Sequence, residues 1–242
     1  MAVTPKRAFW LISTMAAPDI HANASDGGRG HIAYNLAGIA VLMLLLAVGL
    51  AYAIDQAGRN TRRPLPALSD SDPVTQTVAG QELHIPTAWY RYGEHIKPGF
   101  VSQIDLTFAL QLEPGVPPVP VDVTLLSRSG ARSSGALLDA VYLHQFGEEA
   151  VGGIPGLVGK PLLAAEGYAG ETVWYDPLSP APFVAKCSEA PDKSRADRCL
   201  RTIHLPNGLA AVLSFDAQAL TAWKQFDAEL ARWLGQIGAL SS

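Results

Sequence analysis

"CLRTIHLPNGLAAVLSF", residues 199–215, carries the clearest fold signal in the chain. Asn207 and Gly208 both tolerate positive φ, so the pair predicts a tight β-hairpin turn. After the turn, apolar residues recur at every second position, so their side chains lie on one face, as a half-buried strand requires. These alternating residues are Leu209, Ala211, Leu213 and Phe215. We therefore predict a two-stranded antiparallel hairpin here.

The next segment, "DAQALTAWKQFDAELARWL" (residues 216–234), predicts an amphipathic helix that begins near Asp216, a good N-cap residue. Its apolar residues recur at spacings of three and four. They are Leu220, Trp223, Phe226, Leu230, Trp233, Leu234 and Ile237, with Lys224, Asp227, Glu229 and Arg232 opposite. The apolar stripe has two interpretations, a core packed on a sheet, which we favour, or an exposed surface for a partner.

Upstream of the hairpin, short β-rich runs alternate with turn residues. The candidate strands lie within residues 74–86, 100–110, 120–127, 171–177 and 183–187. The first run is interrupted by Gly80 and predicts another hairpin. Residues 136–146, "ALLDAVYLHQF", suit either a strand or a helical turn. Many strands followed by one helix predict an α+β domain, mostly antiparallel and closed by the C-terminal amphipathic helix.

Residues 32–54 form an uncharged apolar run near the N-terminus. A bilayer core about 30 Å thick requires roughly 20 apolar residues of helix, so this run predicts a transmembrane helix whose partner is the lipid bilayer. The leader before it is longer than that of a signal peptide, which favours a retained single-pass anchor. The small residues in "LAYA", residues 50–53, have the pattern of a signal-peptidase site, so cleavage of the chain there is the alternative.

The two cysteines, Cys187 and Cys199, bracket a polar, turn-rich stretch. We predict that they form a disulfide, with two separate buried thiols as the alternative. Disulfides persist in oxidising compartments. Basic residues flanking the anchor slightly favour a cytoplasmic C-terminal side, but large domains translocate largely regardless of such charge. We therefore predict a bacterial inner-membrane protein with a cytoplasmic N-terminus and a periplasmic C-terminal domain.

The predicted organisation has four parts. Residues 1–31 are a disordered tail, 32–54 the transmembrane helix, 55–73 a Pro/Ser/Asp linker and 74–240 the soluble α+β domain. From residue 74 onward the chain has 12 Lys and Arg against 17 Asp and Glu. A nucleic-acid-binding domain needs a basic excess, so this acidic balance argues against that class of partner.

Three stretches together resemble a known group of proteins: "LHIPTAWYRY" (residues 83–92), residues 156–187, and residues 199–234. With the Ile-Pro after a strand, the paired cysteines and the Trp-bearing last helix, the chain resembles uncharacterised single-pass bacterial inner-membrane proteins that have a C-terminal periplasmic domain. The resemblance implies architecture and placement. It implies no activity and no functional residues.

Motifs for catalysis are weak. A G-x-S-x-G nucleophile motif does not occur, and residues 127–135, "SRSGARSSG", are typical of a polar turn. Residues 152–160, "GGIPGLVGK", lack the ending of a phosphate-binding loop because Pro161 follows, so they predict a flexible connection. His144 and Glu148 have helical ligand spacing, but Gly147 between them favours a loop. We expect no cofactor and no metal.

Three functions remain open. The first, which we favour, is a membrane-anchored, non-catalytic periplasmic module that interacts with a protein partner in the envelope. The second is a membrane-anchored hydrolase, which would bring some of His84, His95, His144 and His204 together with carboxylates. The third is a binder of a small ligand or lipid in a cleft between sheet and helix.

Overall fold

A computed structural model describes the backbone of residues 29–60, 64–192 and 194–241, and the side chains of residues 38–54, 64–192 and 194–241. The chain divides into two compact units, Met1–Arg63 and Pro64–Ser242. In the first unit a single helix, α1, spans Arg29–Asn60. Among the described residues, we find no helix that combines the length and apolarity needed to cross a membrane. Most of the predicted tail, residues 1–28, lies outside the described residues.

The second unit contains two sheets. Its strands are β1 Pro73–Val78, β2 Gln81–Pro86, β3 Gly99–Val101, β4 Gln103–Leu110, β5 Val119–Ser127, β6 Val158–Pro161, β7 Glu171–Tyr175, β8 Val184–Ser188, β9 Arg198–His204 and β10 Leu209–Asp216. The small sheet has the order β2-β1-β3, and the large one has the order β4-β5-β10-β9-β8-β7-β6. Of these pairings, only β1 with β3 is parallel. The predicted α+β fold, mostly antiparallel with a C-terminal helix, is confirmed.

Both predicted hairpins form. β1 and β2 pair antiparallel across a turn in which Ala79 and Gly80 have φ of 49° and 82°. β9 and β10 pair across the turn that contains Asn207 and Gly208. There, only Gly208 has a positive φ, 83°, and the Asn207 side chain accepts a hydrogen bond from Leu209 N instead. The side chain of Asn207 therefore supports the turn in place of a left-handed backbone.

The stretch predicted as one strand, residues 100–110, is divided between the two sheets. β3 belongs to the small sheet and β4 to the large one, with a bend at Ser102 between them. The apolar side chains of β4 are buried as expected, namely Ile104, Leu106, Phe108 and Leu110. Alternation identified the buried face correctly, but it carries no information on where a chain leaves one sheet for another.

The C-terminal helix begins later than predicted. A 3₁₀ turn covers Ala217–Ala222, and α3 spans Trp223–Gln236. Asp216 makes no side-chain cap because its carboxylate accepts a hydrogen bond from Arg198 across the hairpin, at 2.9 Å. Glu229, predicted on the exposed side, is buried and bonded to Arg232.

The larger of two hydrophobic cores, which we call the main core, contains buried apolar residues of β4, β5 and β10. Most of the predicted apolar stripe lies in it. Leu220, Phe226, Leu230, Trp233 and Ile237 are buried there, and Trp223 is partly buried against it. Trp233 packs on Trp89 and Phe108, with ring centroids 4.6 Å and 5.1 Å away. This aromatic trio joins α3 to β4 and to the 3₁₀ turn after β2.

Part of the predicted linker packs on the domain. Pro66 is buried, and Ala67 O accepts a hydrogen bond from the Trp89 indole at 3.1 Å. Leu68 packs against the main core. The second unit accordingly begins at Pro64 rather than near residue 74.

Residues 136–146 are mostly helical. α2 spans Ser134–Ala140, and a 3₁₀ turn covers Tyr142–His144. Ser133 caps α2 by accepting a hydrogen bond from Ala136 N. Leu138 and Tyr142 form a second, smaller core with residues of β7 and β8. Because side chains alternate along β8, Val184 faces this second core while Ala185 faces the main core, so the two cores lie on opposite faces of the large sheet.

The predicted disulfide is confirmed. Cys187 on β8 and Cys199 on β9 are bonded and lie directly opposite each other in the ladder, with Cα atoms 3.9 Å apart. The bond closes a short loop and ties two neighbouring strands of the large sheet together.

Candidate functional site

The candidate site lies where β8 and β9 stop pairing. The two strands are paired only over residues 186–188 and 198–200. β8 extends back to Val184 and β9 continues to His204 without further pairs between them. A cleft of about 760 Å³ opens at this point, which we call the fork cleft. Small-ligand sites typically measure about 300–1,000 Å³.

Four elements enclose the fork cleft. α2 with the turn after it forms one wall, α3 and the C-terminal segment form another, and the loop of residues 176–182 and the unpaired end of β9 complete it. Apolar side chains line much of it, including Leu138, Leu143, Val184, Leu230 and Leu234. The elements come from sequence positions roughly a hundred residues apart.

A serine hydroxyl replaces the missing strand partner at the fork. The Ser134 hydroxyl accepts a hydrogen bond from Thr202 N at 2.9 Å, and Ser134 is buried. A buried backbone N–H without a partner would cost about 1–3 kcal/mol. Ser134 therefore lets β9 stay separate from β8 at this position without that penalty.

Arg201 is the most unusual residue of the fork cleft. Its side chain is 7% exposed, although arginine is almost never fully buried unless it is paired. Arg201 Nη2 donates to Asp227 Oδ2 of α3 at 2.8 Å, and the guanidinium lies 3.9 Å from the centre of the Phe183 ring. Burial lowers the pKa of Arg201, and the carboxylate of Asp227 opposes that shift.

One nitrogen of Arg201 is not satisfied. Within the part of the chain that the structure describes, the buried Nη1 has no hydrogen-bond partner. Asp227 is 56% exposed, so water weakens its compensation of the guanidinium charge. A hydrogen bond to a charged group contributes about 1.5–3 kcal/mol. The fork cleft thus borders a buried cation with one nitrogen that lacks an acceptor among the described residues.

His204 lines the same cleft but both of its ring nitrogens are engaged. Arg128 Nε lies 3.0 Å from Nδ1 and can only donate, so Nδ1 accepts that bond. Nε2 lies 2.8 Å from Ala131 O and must then carry the proton. This arrangement describes a neutral, structural histidine.

The four histidines considered for a hydrolase do not meet. His84 contacts Thr75, His95 lies 3.6 Å from Asp105, and His204 contacts Arg128. His144 is exposed on the turn after α2, and Glu148 lies in the following loop, where its carbonyl accepts a bond from Lys160. Across residues 64–192 and 194–241, no group of three or more potential metal ligands is found.

The two glycine- and serine-rich stretches have structural partners. Residues 127–135 contain the 3₁₀ turn Arg128–Gly130 and lead into the capped start of α2. Residues 152–160, predicted to be a flexible connection, are held by the Trp223 indole, which donates to Pro155 O at 3.0 Å. Gly156 has φ of 87°, and a Cβ there would lie 3.0 Å from Trp223. The close approach of Trp223 therefore explains this glycine.

Sequence reasoning did not single out Arg201, Asp227, Ser134 or Phe183 as site residues. One signal was available for Arg201. It occupies the inward position between Cys199 and Ile203 on a predicted strand, where a charged residue is out of pattern. The partners of Arg201 come from distant segments and carry no local signal.

Comparison with known proteins finds no matching family, no similar curated protein and no similar solved structure. The resemblance to single-pass inner-membrane proteins therefore stays a prediction.

Proposed function

We propose that this chain is a membrane-tethered binding protein whose folded domain lies in the periplasm and takes up a small ligand in the fork cleft. The observation that carries the binding role is the fork cleft itself, apolar over much of its lining and bordered by the buried Arg201. A sheet that has opened between two neighbouring strands creates room that a packed domain does not otherwise leave.

Two features support the placement. The described apolar side chains of α1 are well exposed, for example Leu44 at 65% and Leu50 at 64%. Exposed apolar surface on this scale is typical of contact with lipid or another protein. The Cys187–Cys199 disulfide supports an oxidising compartment for the second unit. An alkaline phosphatase fusion after Ser242 tests this part, because that reporter is active only after export. Activity of a cytoplasm-specific reporter at the same position would contradict the placement.

The binding role is tested with the full chain in lipid nanodiscs. Ala231 is exposed on α3 and lines the fork cleft, so Ala231→Trp should fill the cleft without disturbing the core. Ala228 is exposed on the same helix but outside the cleft, which makes Ala228→Trp the matched control.

The measurement is a ligand-observed NMR screen of a small-fragment library, with empty nanodiscs as the blank. Fragments whose signals change with the wild type and Ala228→Trp, but not with Ala231→Trp, would support the binding role. If the screen yields no fragment that is sensitive to Ala231→Trp, the fork cleft is not a binding site.

A further inference from the structure

We infer that the fork cleft recognises small organic monocarboxylates with an apolar body, and that Arg201 binds the carboxylate. This inference rests on the proposed binding role and names the class of ligand. The first step is the unsatisfied hydrogen-bonding capacity of Arg201. Its Nη2 is bonded to Asp227, while its buried Nη1 has no partner among the described residues.

The second step is the chemistry that suits a guanidinium. Arg presents planar N–H donors that match the two oxygens of a carboxylate or a phosphate. The Arg201 guanidinium carbon lies over the Phe183 ring, 3.9 Å from its centre, which helps to position the cation. A positioned, weakly hydrated cation of this kind favours an oxyanion over a neutral acceptor.

The third step concerns the charge of the ligand, which could be a monoanion or a dianion. Besides Arg201, the charged residues around the fork cleft are Asp139, Asp176 and Asp227. Arg201 is already paired with Asp227, and the three carboxylates repel a ligand with two negative charges more strongly than a ligand with one. Asp139 and Asp227 are exposed, so water screens their charges, and a single negative charge beside Arg201 meets mainly the half-buried Asp176. The lining thus favours a carboxylate over a phosphate dianion.

The fourth step concerns the part of the ligand that does not contact Arg201. Apolar side chains form much of the walls, from Leu138 and Val184 on one side to Leu230 and Leu234 on the other. An aliphatic or aromatic body in contact with them gains by leaving water. The geometry therefore suits an acid with one charged end and an apolar remainder.

The test uses four matched probes, 4-phenylbutyrate, its primary amide, 4-phenylbutylamine and 4-phenylbutyl phosphate. Binding of each probe to the full chain in nanodiscs is measured by ligand-observed NMR titration, with empty nanodiscs subtracted. We expect the acid to bind at least about tenfold more tightly than the amide, because a charge-assisted hydrogen bond is lost in the amide. The amine and the phosphate should bind more weakly than the acid.

Arg201→Gln should reduce the preference for the acid over the amide to about twofold or less. If that variant does not fold, two results decide the matter. They are the ratio of acid to amide affinity in the wild type and the loss of that preference in Ala231→Trp, with Ala228→Trp as control. Equal binding of all four probes that is abolished by Ala231→Trp would overturn the carboxylate inference but leave the binding role intact. Preference for the phosphate or the amine would also overturn the inference. Binding of no probe, or binding unaffected by Ala231→Trp, would overturn both.

Discussion

Trp233 is the centre of the aromatic trio that joins α3 to the rest of the domain, and Trp233→Ala should be severely destabilising. Trp233 is 2% exposed and packs on Trp89 and Phe108. Replacing a buried Trp by Ala typically costs about 3–5 kcal/mol, which combines lost transfer energy with the cavity that remains. For a domain of this size, about 1 kcal/mol shifts Tm by roughly 2–4 °C, so Tm should fall by roughly 6–20 °C.

The matched variant is Trp223→Ala on the same helix. Trp223 is only partly buried, and it contacts Phe183 and donates one hydrogen bond to Pro155 O. Its replacement should cost about 1–3 kcal/mol, clearly less than Trp233→Ala. Trp233→Phe should cost less than its loss of side-chain volume alone would suggest. The reason is that it also removes a buried indole N–H that has no partner among the described residues.

The assay is equilibrium urea unfolding of the full chain in detergent micelles, followed by near-ultraviolet circular dichroism. Equal slopes against urea would show that the variants differ in stability rather than in the extent of unfolding. If Trp233→Ala unfolded within about 1 kcal/mol of the wild type, the burial of α3 would be misassigned, and the exposed-stripe interpretation of this helix would be favoured.

Three further predictions use the same unfolding assay. Replacing both Cys187 and Cys199 by Ser should cost about 3 kcal/mol, since the bond closes a loop with a sequence separation of 12; an unchanged midpoint would contradict this. Gly208→Ala should cost about 1 kcal/mol because φ there is 83°, whereas Ala79→Gly, at φ of 49°, should be neutral or stabilising. Burial raises the pKa of Tyr90 to about 12, so its stabilising contribution is complete below pH 10 and is lost as pH rises toward 12; Tyr90→Phe should therefore lose less stability than the wild type over that window.

Local sequence rules recovered most of the elements in the second unit. The hairpins at Gly80 and Gly208 and the Trp-bearing helix depend on turn chemistry and short-range periodicity, and both signals are contained in a few consecutive residues. The disulfide was also predictable, because two cysteines that bracket a short polar, turn-rich loop can close that loop as a disulfide.

Two of the errors have a common cause, which is competition from distant residues. Asp216 is a good N-cap in isolation, but Arg198 on the neighbouring strand takes its carboxylate. Residues 152–160 have the composition of a flexible loop, but Trp223 holds them through Pro155. In each case the deciding partner is remote in sequence, so no local pattern could reveal it.

The fork cleft could not be predicted for the same reason, yet the features around it depend on one another. An open fork in a sheet leaves backbone groups unpaired and weakens the ladder beside it. Ser134 satisfies Thr202 N at the opening, and the Cys187–Cys199 bond reinforces the short ladder next to it, where only three residue pairs join β8 and β9. The disulfide therefore adds a covalent link where the ladder is short. The separation, in turn, leaves room for the buried Arg201 beside a cleft large enough for a ligand.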